Sequence, residues 1–217
     1  MLLILYTHSD YDDIFRIQRD HVKRLNDVNP GSIVIFSNRT NPDLYDFPVY
    51  LYATQESYPS RILSCLAKVK EERGAIPYCV LCHDNNLLMT YSEPLMDAIA
   101  ATMAEKGIHK VGLFAHHQEA TAPVLTIAEN PAIRIRKNTH FYLFSVAPAI
   151  WDVTVYEDVL RHNVNTYREL EMPATEYMRH KGYSVYNVDC YRNWNTASAS
   201  TGTCLSVSTS PMTVVIA

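Results

Sequence analysis

The feature that most constrains this chain is an alternation, over its first 150 residues, of short apolar runs of β type with amphipathic stretches of helical type. Leu2–Tyr6 reads as a buried strand. Tyr11–Leu25 follows, with Ile14, Ile17, His21, Val22 and Leu25 near helical spacing and charges between them. After the turn Asn29-Pro30-Gly31, Ser32–Ser37 is a second strand and Val49–Ala53 a third. Tyr58–Glu72 is a second helix, with Pro59 in its first turn and Ile62, Leu63, Leu66 and Val69 on its apolar side. Tyr78–Cys82 is a fourth strand, Glu93–Glu105 a helix and Val111–Ala115 a strand. Val124–Ala128, Ile133–Ile135 and Phe141–Ser145 read as further short strands, and Val146–Trp151 leads into a helix near Val153–His162. This order is that of an α/β fold, a mainly parallel sheet with helices on both faces, becoming more mixed after Ala115.

Composition narrows the function. A length of 217 residues fits one large domain, or one domain with a short appendage. The net charge of −4 argues against nucleic-acid binding by phosphate neutralisation, which needs a basic face. Six glycines, about 3% where about 7% is usual, argue against a fold that cradles phosphate on a glycine loop. The 15 tyrosines suit a cleft for polar ligands such as sugars. The apolar start Met1–Tyr6 is too short for a signal peptide, and no run approaches the roughly 18 apolar residues of a membrane helix. The five cysteines are scattered. Cys79 and Cys82 lie on one strand three residues apart and so face opposite ways, which reads as buried thiols in a reducing, cytoplasmic setting. From Asn193 the chain becomes rich in Ser and Thr with almost no charge. The expected division is a domain over 1–190 and a tail over 191–217, either a linker to a further domain or an edge hairpin.

Ligands of open α/β sheets bind beyond the carboxyl ends of the strands. Those ends here carry Thr7-His8-Ser9-Asp10, Asn38-Arg39-Thr40, His83-Asp84-Asn85-Asn86 and His116-His117. The third is the sharpest, a polar cluster between the strand and Leu87-Leu88-Met89. Its carboxylate can hold a divalent cation beside a diphosphate, although Asp and Asn also make turns for local reasons. His116 and His117 face opposite ways on a strand, so at most one enters a cleft. Arg61 opens the second helix, where a guanidinium and a helix N-terminus both favour phosphate. Arg134-Ile135-Arg136-Lys137 reads as a solvated edge. Tyr167–Glu176 concentrates carboxylates, either a charged helix face or the source of a general base.

Three segments, Tyr58–Leu66, Cys79–Leu88 and Phe144–Trp151, resemble small GT-A-type glycosyltransferases of large DNA viruses and some bacteria, nearest to the N-terminal domains of multidomain glycosyltransferases encoded by chloroviruses. The resemblance covers roughly residues 1–190. It implies the GT-A fold, a mixed, mostly parallel central sheet flanked by helices. It also implies a nucleotide-sugar donor, commonly a UDP-sugar, a divalent ion, Mn2+ or Mg2+, and an acceptor hydroxyl on a glycan such as that of a virion protein. Asp84 matches the metal and diphosphate motif, with His83 and Asn85 beside it. Thr7, His8, Ser9, Asn38 and Arg39 match the nucleoside side and Arg61 the diphosphate side. Pro148 to Trp151, with Asp152 next to them, match the acceptor segment, and Glu171 or Glu169 the late carboxylate. The chain departs from the family at Asn85-Asn86, where a second acidic residue is usual, which lowers the charge offered to a cation. Two other readings stay open: a sugar nucleotidyltransferase, disfavoured by the missing glycine after the first strand, and a non-catalytic carbohydrate-binding domain, which needs no buried Asp84.

Overall fold

The computed structural model describes residues 1–28, 31–41, 47–84, 86–90, 92–113, 121–128, 130–139, 142–163, 169–189 and 213–215. Its strands are β1 Leu2–Tyr6, β2 Ile33–Ser37, β3 Val49–Leu51, β4 Tyr78–His83, β5 Leu87–Thr90, β6 Lys110–Gly112, β7 Val124–Ile127, β8 Asn130–Lys137, β9 Ala149–Asp152, β10 Val185–Val188 and β11 Thr213–Val215. Its helices are α1 Asp12–Val28, α2 Tyr58–Arg73, α3 Glu93–Lys106, α4 Val153–Arg161 and α5 Glu171–His180.

Nine strands form one sheet in the order β3-β2-β1-β4-β9-β6-β10-β8-β7. The first four are mutually parallel, whereas β9 runs against β4 and β6, and β8 runs against β10 and β7. This is the mixed, mostly parallel central sheet flanked by helices that the sequence calls for. Period-two alternation along β1, β2 and β4 splits the core into two layers. Leu3, Leu5, Ile33, Ile35, Val80 and Cys82 meet Phe15 and Val22 of α1 and Met96, Ile99 and Met103 of α3. Leu2, Ile4, Val34, Phe36, Cys79 and Leu81 meet α2, α4 and α5 on the other side. Cys79 and Cys82 are buried, free and on opposite faces, and burial pushes both thiols up to about 12.

α2 begins as the sequence predicts. The Ser57 side chain accepts from the Ser60 N–H, Pro59 occupies the first turn, and Gly74 closes the far end with φ 82°. The second half departs from expectation. Phe141–Ser145 is not a strand: the described residues 142–148 hold neither helix nor strand, and the strand lies later, at β9. β5, β10 and β11 are additions to the sequence reading, while α5 takes up the end of Tyr167–Glu176, the stretch read as a charged helix face or the source of a general base. β8 runs longer than Ile133–Ile135, and Arg136 is no solvated edge, being buried and paired with Asp189 at 3.1 Å. Of the expected tail, Thr213–Val215 pairs in parallel with β5; residues 190–212 lie outside the described set. None of the described helices is long and apolar enough to cross a membrane.

Candidate active site

The register Tyr6↔His83 sets the ends of β1 and β4 level, so the residues that follow come side by side. The Asp84 N–H donates to the Tyr6 carbonyl at 3.0 Å, extending the ladder by one step. The Asp84 carboxylate oxygen Oδ2 then accepts from the Thr7 hydroxyl at 3.0 Å and from the His8 N–H at 3.3 Å. Gln18 of α1 donates to the Asp84 carbonyl at 3.4 Å, which fixes the same turn from the helix side. Beside it the ends of β1 and β2 are tied reciprocally. The Ser9 N–H donates to Asn38 Oδ1 at 2.8 Å, and Asn38 Nδ2 donates to the Ser9 hydroxyl at 2.9 Å. Arg39 and Asn41 both reach the Asp12 carboxylate, at 2.5 and 2.9 Å. Thr7, His8, Ser9, Asn38, Arg39 and Asp84 are thus brought together at the carboxyl edge of the parallel half. Asn85 and the pair His116-His117 lie outside the described residues.

His83 and Arg61 face elsewhere. His83 points to the α2 side, stacked on Tyr58 and edge-on to Tyr6, with its Nε2 2.8 Å from the Tyr58 hydroxyl. Burial pushes its imidazole down to about 4, against the opposing effect of the Val146 backbone, so the ring is neutral at pH 7. The Arg61 guanidinium is engaged by its own surroundings: it donates to the carbonyls of Glu56, at 2.9 Å, and Thr54, reaches the Tyr6 hydroxyl at 3.3 Å and lies over the Tyr52 ring. Its role in the structure is to hold the loop after β3.

A second group sits on the sheet face covered by α4 and α5. The irregular stretch 142–148 runs into β9, and its backbone is held by side chains. The Phe144 N–H donates to the Thr175 hydroxyl, and the Val146 N–H donates to Glu171 Oε1, each at 3.0 Å. Glu169, by contrast, is exposed. Asp152 lies at the far end of β9, at the opposite edge of the sheet from Asp84, and caps α4 by accepting from the N–H groups of Thr154 and Val155 at 2.9 and 3.2 Å. The structure thus sets Asp152 apart from Asp84.

Sequence reasoning missed Lys110. It opens β6, is almost fully buried, and donates to the Leu143 carbonyl at 2.9 Å and the Ser145 hydroxyl at 3.2 Å. Its signal was a lone lysine before the apolar Val111-Gly112-Leu113, which reads equally as the solvated residue preceding a strand.

The donor set fits a divalent ion poorly. Asp84 offers one carboxylate, with Oδ2 already accepting twice, while Asp12 is engaged by Arg39 and Asn41, and His83 faces the other layer. Among the described residues no three His, Cys, Asp or Glu side chains are grouped to ligate an ion. Hard cations of this class take six or more oxygen ligands, several of them waters or substrate phosphates with one or two protein carboxylates, so Asp84 alone offers the least that such a site uses. Two clefts lined by described residues lie away from Asp84. One, of about 470 Å³, opens at the amino edge around Met1 and Tyr78, and the other, of about 680 Å³, lies between Lys137 and Tyr183.

No protein-family model matches the chain, and no curated protein sequence matches it. Among solved structures, it is similar to a cytidylyltransferase from Leptospira borgpetersenii, at 10% identity and a TM-score of 0.47, covering 86% of this chain and 74% of that one. It is similar also to an active-site mutant of LgtC, at 10% identity and a TM-score of 0.45, covering 99% and 86%. A UDP-glucose pyrophosphorylase complexed with UDP-glucose aligns at 8% identity and a TM-score of 0.46, covering 87% and 90%. Likenesses this loose carry no argument about activity, and the architecture rests on the strand order itself.

Proposed function

We propose that the chain is a glycosyltransferase that moves a sugar from a nucleotide-diphosphate donor, most simply a UDP-sugar, to an acceptor hydroxyl. The observation that carries the reading is the gathering of polar side chains around Asp84 at the carboxyl ends of β1, β2 and β4. Asp84 is held by Thr7 and His8 beside the Ser9–Asn38 tie, while Glu171 holds the Val146 N–H of the irregular stretch that leads into β9, the strand next to β4. A donor needs a polar floor for its nucleoside and diphosphate, which the ends of β1, β2 and β4 supply. An acceptor needs a carboxylate that receives a proton, which Glu171 supplies with the oxygen that Val146 leaves over.

In a single displacement the bond between the anomeric carbon and the diphosphate oxygen breaks, and its electron pair leaves with the nucleoside diphosphate. The acceptor oxygen bonds to that carbon through an oxocarbenium-like transition state, and its proton passes to Glu171. Asp84 orders the turn that meets the donor. A divalent ion would add its charge at Asp84, but this donor set gives it a weak hold, so the reading is of a donor site with little dependence on metal.

The test is nucleotide release from UDP-glucose, UDP-galactose and UDP-N-acetylglucosamine. Release expected from the native chain falls at least ~100-fold in Glu171→Gln, the usual scale for loss of a general base. Pyrophosphate formed from UTP and a sugar phosphate, in place of such release, would move the chain to the nucleotidyltransferases. Sugar binding with neither reaction would make it a binding domain.

A further inference from the structure

We propose that Lys110 is a positioning residue for the acceptor side of this site, its buried side chain fixing the stretch Leu143–Val146 and, through it, the carboxylate of Glu171. The inference rests on the glycosyltransferase reading for what the stretch serves, but the clamp stands on contacts alone. A lysine is almost never fully buried unless its ammonium is satisfied, because desolvating a charge is costly. Lys110 is 2% exposed. Two of its three donors go to the Leu143 carbonyl and the Ser145 hydroxyl, and the nitrogen lies 4.9 Å from the centre of the Trp151 ring and 5.8 Å from that of Phe144.

The clamped stretch has no strand ladder of its own. Between the two atoms that Lys110 holds, the Phe144 N–H is bound by Thr175, and one residue further on the Val146 N–H is bound by Glu171. Four consecutive residues are thus held by side chains from β6 beneath and α5 beside. The sheet itself does not fix them, so loss of the lysine would let them move while β6 and β9 stay paired. Glu171 on α5 is the charge set against Lys110 and pulls its titration upward. Burial outweighs it and brings the ammonium down to about 7. Trp151 on β9 and Tyr156 on α4, tilted against it, bring aromatic surface, and His83 on β4 is neutral at pH 7. Loss of the proton removes the cation from the Trp151 ring and leaves an amine whose hydrogen bonds are no longer charge-assisted.

Trp151 reports on this directly. In a Trp194→Phe background it is the sole tryptophan of the chain. Its emission, followed between about pH 5.5 and about 9, should show a transition near neutrality, within reach of the normal spread of shifted groups. Lys110→Met should abolish that transition, as should Lys110→Arg, which stays charged throughout. With UDP-glucose as probe, Lys110→Met should lower turnover ~10-fold while leaving UDP affinity unchanged, and Lys110→Arg should recover most of the loss. Turnover unchanged in Lys110→Met, or a transition that survives in Lys110→Arg, overturns the proposal. So does a joint loss of UDP affinity and turnover, which would mark a merely structural lysine. If Lys110→Met does not fold, the native and Lys110→Arg titrations decide alone. A native chain that binds no UDP would sink the glycosyltransferase reading and leave the titration to judge the clamp.

Discussion

The two halves of the sheet build their functional edges by different means. In the half formed by β3, β2, β1 and β4, every strand is parallel, so each carboxyl end arrives at one edge and the residues just beyond it are gathered by topology alone. Thr7, Asn38 and Asp84 need only short turns to meet. In the half formed by β9, β6, β10, β8 and β7, strand direction alternates for much of the width, with β6 and β10 its one parallel pair among the described residues, so fewer strand ends are gathered by topology. There the site-bearing stretch, 142–148, is irregular backbone whose N–H and C=O groups are satisfied by Lys110, Thr175 and Glu171. Buried backbone must find partners somewhere. Where the sheet does not supply them, polar side chains do, and their removal should be felt locally.

The comparison breaks most readily at the aromatic floor of the second half. Phe144→Ala, which empties a fully buried place against Trp151 and Tyr156, should cost about 3–5 kcal/mol by chemical denaturation. A loss below about 1 kcal/mol would show that the stretch is not packed as described. Next comes the polar clamp. Glu171→Ala leaves the Val146 N–H without its acceptor and should cost about 1–3 kcal/mol, whereas Glu171→Gln keeps an acceptor and should cost less than half as much. Equal losses in the two variants would deny the hydrogen bond its role.

Asp152→Ala should cost about 1 kcal/mol through the lost cap of α4, a fall of about 2–4 °C in Tm, and leave any nucleotide response as it was. A lost nucleotide response would return Asp152 to the site. The last effect is one of pH. His83 takes up its proton in the unfolded chain at its ordinary 6.5 but in the folded chain only near 4. The unfolded state therefore binds more protons between these values, and stability should fall as pH drops from about 6.5 to about 4. His83→Asn should flatten that part of the profile.

How much of this the residues announced follows the same division. Apart from β5, the strands and helices up to α3 were legible because apolar runs alternate with amphipathic ones, and the polar residues at strand ends stood out as breaks in those runs. Asp84 was legible for that reason. Phe141–Ser145 misled because its apolar residues look like a strand, yet Phe144 is buried by packing on Trp151 and Tyr156 and its N–H is bound by Thr175. α5 was obscured by Pro173, which is tolerated in a first turn but reads as a breaker within a run of charges. At Arg61 nothing in the sequence showed the loop carbonyls of Thr54 and Glu56 that engage its guanidinium. Lys110 carried no pattern at all, because a buried lysine is defined by contacts 33 and 35 residues away.

The most direct test of the central claim is the melting temperature with UDP, GDP, dTDP and ADP, each with and without manganese, for the native chain and Asp84→Asn. A ligand at about 100 times its dissociation constant adds about 2.7 kcal/mol, a rise of about 5–11 °C for a chain of this size. The account predicts such a rise with one nucleotide, little altered by manganese and much reduced in Asp84→Asn. No rise with any nucleotide, or an equal rise in Asp84→Asn, would contradict it.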